Sequence, residues 1–177
     1  MRIDIFDIPI FIGNIDSDKI IIENQDFSKT WVSETKSSFF SENSKIKEES
    51  VVYLLKNISE LLKEKIKNPF EINLKNIWSN KYEKNDYQEE HIHSGCHFSF
   101  IIYKDVKESR TVFLSAWKDL IGGWEMEDLF PNRFNVQCRS NQICVFPSFV
   151  KHMVLRNNYP GETIAGNICI KVNYGKN

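Results

Sequence analysis

The sequence predicts a mainly β domain, a β-sandwich or barrel-like roll, with one long helix packed outside a sheet. Three observations carry this. From Phe70 onward, short apolar or alternating segments are separated by turn residues at near-regular spacing. A single stretch before them, Ser44–Lys67, repeats its apolar residues at intervals of three and four. Three of the four histidines lie between His91 and His97, and the fourth, His152, lies in a later strand-like segment.

Along the chain, residues 2–12 alternate, with Phe6, Ile8, Ile10 and Ile12 on one face against Asp7, Pro9 and Phe11. That is strand patterning, and Pro9 points to a sheet edge or a bulge. Ile20-Ile21-Ile22 is a second apolar run, followed by a polar region with Thr30-Trp31 and Ser37-Ser38-Phe39-Phe40. The helix over Ser44–Lys67 carries its stripe on Val51, Leu54, Leu55, Ile58, Leu61, Leu62 and Ile66. Ser44 is the expected N-cap, and Glu48 and Glu49 lie early. Lys63, Lys65 and Lys67 lie late, and Asn68-Pro69 stops the helix. It reads as scaffold.

In the first long strand Leu74, Asn76, Trp78, Asn80 and Tyr82 fall on one face, and Asn85-Asp86 is turn chemistry. His91–Tyr103 is the next strand region, bent at Ser94-Gly95. Thr111–Trp117 follows, then Gly122-Gly123 interrupts the pattern. Phe134, Val136 and Cys138 alternate, and Ile143–Phe146, His152–Leu155 and Thr163–Asn173 complete the series. Trp117 is expected in the core and Trp124 at a substrate pocket. No repeat or linker divides the chain, so one domain over 1–177 is expected, with 1–69 supporting a β core over 70–177.

With 177 residues, 41% hydrophobic, 13% aromatic and a net charge of −1, the chain has the means to bury a core. It offers no global attraction to nucleic acid or to an anionic membrane. Cys96, Cys138, Cys144 and Cys169 show no Cys-x-x-Cys spacing, so reduced, buried thiols are expected. No apolar run has signal or transmembrane length, so a soluble, cytoplasmic protein is expected.

A lone histidine is ordinarily a satisfied core or surface residue. Here the clustering points elsewhere. Residues at i and i+2 of a strand share a face, so His91 and His93 can share one ion, and His152 from a neighbouring strand closes the set. Imidazole ligands suit iron(II), zinc, copper or nickel rather than calcium or magnesium. His97, beyond Ser94-Gly95, is placed outside the ligand set.

These residues resemble the Fe(II)/2-oxoglutarate-dependent oxygenases, particularly small members from bacterial and phage genomes. The resemblance lies in Trp78, Asn80, His91-Ile-His93-Ser94-Gly95, Ser99-Phe100 and Phe146-Pro147-Ser148 with His152. It covers residues 70–173 and implies a double-stranded β-helix (a jelly-roll or cupin-like fold) with Fe(II) and the cosubstrate 2-oxoglutarate in its mouth. By that resemblance His91 and His152 are metal ligands, and Asn80 and Tyr82 reach the oxoacid. Asn167 lies in a stretch that looks like the family's final core strand, on one face with Lys171, and is expected among the cosubstrate-binding residues.

Two departures from the family pattern stand out. His93 occupies the usual carboxylate position, with Glu89 and Glu90 as the nearest carboxylates. The Arg expected some way past the distal His is absent, leaving Arg156 and Lys171 as replacements; Lys is a point charge where Arg is a fork. The expected function is an Fe(II)- and 2-oxoglutarate-dependent dioxygenase hydroxylating an unidentified substrate. A three-His cupin-like dioxygenase without 2-oxoglutarate is one alternative. A non-catalytic β-roll binding or structural protein is the other.

Overall fold

The computed structural model describes residues 8–29 and 34–174. In chain order the elements are β1 (Phe11–Asn14), β2 (Ile22–Glu23), β3 (Ser28–Lys29), β4 (Lys36–Ser37), β5 (Lys45–Ile46) and helix α1 (Glu48–Leu62). There follow β6 (Phe70–Tyr82), β7 (Gln88–His91), β8 (Phe98–Asp105), β9 (Thr111–Leu114), helix α2 (Lys118–Gly123) and β10 (Arg133–Asn135). β11 (Gln142–Pro147), β12 (His152–Val154) and β13 (Gly161–Val172) close the chain. The fold is the mainly β jelly roll expected, with one long helix.

A seven-stranded sheet runs β1-β11-β8-β13-β6-β4-β3, and a four-stranded sheet runs β10-β9-β12-β7. Strands β8 and β11 of the larger sheet are buried on both faces, which explains their near-continuous apolar runs. On its outer face Phe100 and Ile102 of β8, Ile143 and Val145 of β11 and Ile164 and Ile168 of β13 meet Leu54, Ile58 and Leu62 of α1. Each of those three helix side chains is fully buried, a contribution of about 1.5–3 kcal/mol apiece. The alternate residues Ile101, Tyr103, Cys144 and Phe146 point inward and pack with Phe113 and Val136. The site lies along this inner layer.

Several sequence expectations shift. The helix begins at Glu48 behind Lys47, without a side-chain cap. It cannot start at Ser44, because Lys45 and Ile46 pair with Glu23 and Ile22 and the Lys47 N–H donates to the Ile21 carbonyl, 3.1 Å. β1 is an edge strand as Pro9 implied, but its phase is reversed. Phe11 is buried while Ile8 and Ile12 are exposed. The expected strand positions 2–7, and Thr30-Trp31, lie outside the described residues.

Leu74 does not share a face with Asn76. The β6–β13 register slips there, Asn167 pairing with Asn76 but Ile168 with Leu74. This bulge turns Leu74 toward the helix, while Trp78, Asn80 and Tyr82 line the interior. Trp117 is 61% exposed rather than core, because the chain leaves the sheet after Leu114 and α2 buries none of its residues. Trp124, 71% exposed, does not line the cavity. Among the described residues no helix is long and apolar enough to cross a membrane.

Candidate metal centre

Two strands of the smaller sheet bring the distant histidines together. His152 opens β12 and His91 ends β7, and the two are paired directly across the ladder. Their ring centroids stand 4.3 Å apart. His93 lies just past the end of β7 and is fixed by its own N–H, which donates to the Ser148 carbonyl at 3.0 Å. Its ring stacks on His91 at 5.3 Å and meets His152 at 5.1 Å. Gly95 then turns the chain from the smaller sheet into β8 at φ 70°, a left-handed conformation that favours glycine. One potential ligand atom from each of His91, His93 and His152 falls within 4.8 Å of the others.

The orientation of the rings is as informative as their proximity. His91 Nδ1 lies 2.7 Å from the Glu89 carbonyl, and His152 Nδ1 lies 3.1 Å from the Val150 carbonyl. A carbonyl only accepts, so both Nδ1 atoms carry the proton and both Nε2 lone pairs are free. His93 Nδ1 lies 2.6 Å from the Asn167 side-chain oxygen. Metal-ligating histidines are held in this way, by an acceptor on the nitrogen away from the ion.

Burial keeps all three rings neutral. Desolvation lowers the His91 value and pushes His152 well below the ordinary 6.5, with the two neighbouring imidazoles adding to it. His93 falls to about 4, through burial first and with Asn167 opposing. Three converging neutral nitrogen donors are a chemistry Fe(II) accepts, so the residues present fit that ion. The nearby carboxylates do not join them. Glu90 is held by Lys118 at 2.6 Å and Lys151 at 3.5 Å. Glu89 contributes its backbone carbonyl to His91 and its side chain is exposed. His97 turns outward, its Nδ1 accepting from the Ile170 N–H at 3.0 Å.

A cavity of ≈ 70 Å³ adjoins the histidines and runs toward the loops at 106–110 and 157–160, room for several water-sized groups. Asn80, Tyr82 and Thr163 line it from β6 and β13. Asn80 is buried and its Oδ1 has no hydrogen-bond partner among the described residues, while its Nδ2 reaches Thr163 Oγ1 at a long 3.4 Å. An orphaned polar atom in a buried amide marks a place for a ligand. The Tyr82 hydroxyl is raised by burial, against a hydrogen bond with Thr163, so it stays protonated and can donate.

The cavity's cations are Lys107 and Arg110, beside Glu108, and sequence reasoning missed both. Neither replacement that the sequence suggested lines it. Arg156 stacks over the Tyr87 ring at 4.5 Å and donates to the Asn85 carbonyl. Lys171 shares the β13 face of Asn167 but sits four residues further along, exposed. Arg110 could have been sought as the basic residue opening an inward-facing strand. No local pattern, however, says that the 106–110 loop folds over the cavity.

Residues 76–167, just over half of the chain, match the family model described as "Putative 2OG-Fe(II) oxygenase". The chain belongs to that family. This oxygenase also resembles solved structures. One is a Pseudomonas putida prolyl-4-hydroxylase (TM-score 0.51, 11% identity, covering 85% of this chain and 79% of that one). A second is HygX from Streptomyces hygroscopicus with nickel, 2-oxoglutarate and hygromycin B bound (0.52, 11%, 83% and 74%). A third is a 2OG-Fe(II) family oxidoreductase from Burkholderia pseudomallei (0.54, 10%, 82% and 72%). At such identities the structures speak to the fold alone. Among curated proteins none matches the oxygenase. Its family-defining cofactors are Fe(II) and 2-oxoglutarate, and the three-histidine group fits the former.

Proposed function

We propose that the chain is one dioxygenase domain that holds Fe(II) on His91, His93 and His152 and hydroxylates an organic substrate at the expense of 2-oxoglutarate. The observation carrying this reading is the common direction of the three rings. Each presents Nδ1 to an oxygen acceptor, which leaves three Nε2 atoms for one ion.

The chemistry supplied by bound Fe(II) and 2-oxoglutarate is two-electron oxidation of a C–H bond by dioxygen, with release of succinate and carbon dioxide. The chain's own residues bind and orient. Asn80, Tyr82 and Thr163 offer the cosubstrate an amide and two hydroxyls. Arg110 and Lys107 supply positive charge in the role first expected of Arg156 and Lys171. The Arg110 side chain is three-quarters buried and already forked, Nε on the Arg156 carbonyl at 3.1 Å and Nη1 on Glu108 at 3.0 Å. A dicarboxylate entering the cavity would compete with Glu108 for it. Ile101, Val154 and Ala165 give the same cavity apolar walls that exclude water.

The test is anaerobic titration of chelator-treated protein with Fe(II), followed by succinate measurement with 2-oxoglutarate and air. One ion per chain, lost in His152→Ala, with iron-dependent succinate release supports the reading. Oxygen uptake indifferent to 2-oxoglutarate would replace it with an oxoacid-independent three-histidine dioxygenase. A His152→Ala protein with unchanged metal content would point to a non-catalytic roll.

A further inference from the structure

Two of the three histidines are held by backbone carbonyls, and the third is not. His93 Nδ1 meets the Asn167 side-chain amide at 2.6 Å. An amide can face a ring with its oxygen or with its nitrogen, and the choice fixes which imidazole nitrogen carries the proton. Oxygen toward the ring demands Nδ1–H and frees Nε2 for an ion. Nitrogen toward the ring demands a bare Nδ1 and a protonated Nε2, which cannot ligate.

We infer that Asn167 is a positioning residue that commits His93 to the metal-binding tautomer, its own amide being set by Asn76 across the β6–β13 ladder. Asn167 Nδ2 donates to Asn76 Oδ1 at 2.8 Å, so Asn167 cannot turn over unless Asn76 turns with it. The remaining contacts run in one consistent direction. The Cys96 thiol donates to Ser148 Oγ at 3.2 Å, and Ser148 and Ser99 share a 2.8 Å bond. The Ser99 hydroxyl donates to Asn167 Oδ1 at 2.7 Å, leaving a Ser99 lone pair 3.0 Å from His93 Nδ1. The ring N–H and the Ser99 hydroxyl thus both point at the Asn167 oxygen. Asn167, expected among the cosubstrate-binding residues, has its oxygen committed to His93 and Ser99 and one amide proton to Asn76, and it does not line the cavity.

The backbone is shaped for this pair. The β6 bulge sets Asn76 opposite Asn167 on the inner side. Gly166 lets the strands close, since a Cβ there would stand 2.6 Å from the Asn76 carbonyl oxygen and 2.5 Å from Phe100 Cζ.

The inference rests on His93 being a ligand, and the experiment separates the two. Long-range 15N–1H correlation of the metal-free protein at neutral pH reports each histidine's tautomer, and Co(II) titration reports affinity. Wild type is expected to show His93 as Nδ1–H. Asn167→Leu should populate Nε2–H at His93 and lose about 10–100-fold in Co(II) affinity, whereas Asn167→Asp, an obligate acceptor, should keep the Nδ1–H form and the affinity. Asn76→Leu, which frees the Asn167 amide, gives a second route should Asn167→Leu fail to fold. An Nε2–H His93 in wild type overturns the inference, as does Asn167→Leu or Asn76→Leu with tautomer and affinity unchanged. If His93→Ala binds Co(II) like wild type, the ligand assignment itself fails.

Discussion

His93 makes the metal-free protein acid-labile by a predictable amount. Its imidazole falls from the ordinary 6.5 to about 4 because folding removes it from water and sets it beside His91. Between those two pH values the unfolded chain binds a proton there that the folded chain does not. Stability therefore rises with pH across the window, is complete above 6.5, and is lost as pH falls toward 4. The interval is worth roughly 3 kcal/mol, a large part of a domain's total stability. Urea unfolding of chelator-treated protein at steps from pH 8 to pH 4 should show that loss in wild type. In His93→Gln, which does not titrate, the curve should be flatter by about that amount. Parallel curves for the two proteins would refute the claim that burial holds His93 neutral.

The remaining predictions concern the cavity and the scaffold. Arg110→Met should weaken 2-oxoglutarate binding about 10–100-fold, the worth of one charge-assisted interaction, without changing Co(II) affinity. Lys171→Ala should change neither, both being read by isothermal titration. Gly166→Ala should destabilise by about 1–3 kcal/mol through overpacking against Phe100 and the β6 backbone, seen as a lower urea midpoint. Leu54→Ala, opening a cavity under α1, should cost about 2–5 kcal/mol and leave the metal stoichiometry at one per chain once the protein is folded.

Much of the site was legible in the sequence because its elements have local periodicities. The His-x-His spacing put two imidazoles together, and Phe146-Pro147-Ser148 with His152 marked where the third would come from. The helix stripe was right in phase, Leu54, Ile58 and Leu62 all reaching the core. The helix start was wrong because Lys45-Ile46 finds a strand partner at Ile22-Glu23, and such pairing is invisible to helix periodicity. Trp117 was misplaced for a related reason. An alternating pattern says which residues share a face, but not where the strand leaves its sheet.

By itself, then, the sequence determined the mainly β class, the supporting helix, the three-histidine cluster and the family, all of which depend on spacing along the chain. Only the tertiary structure decided that Asn167 lies against His93 with Asn76 behind it, and that the cavity's cations are Arg110 and Lys107. Those outcomes depend on a one-residue bulge between strands far apart in sequence and on a loop folding across an opening. A slip of one residue exchanges the two faces of a strand, and nothing within β6 alone records which register β13 will impose.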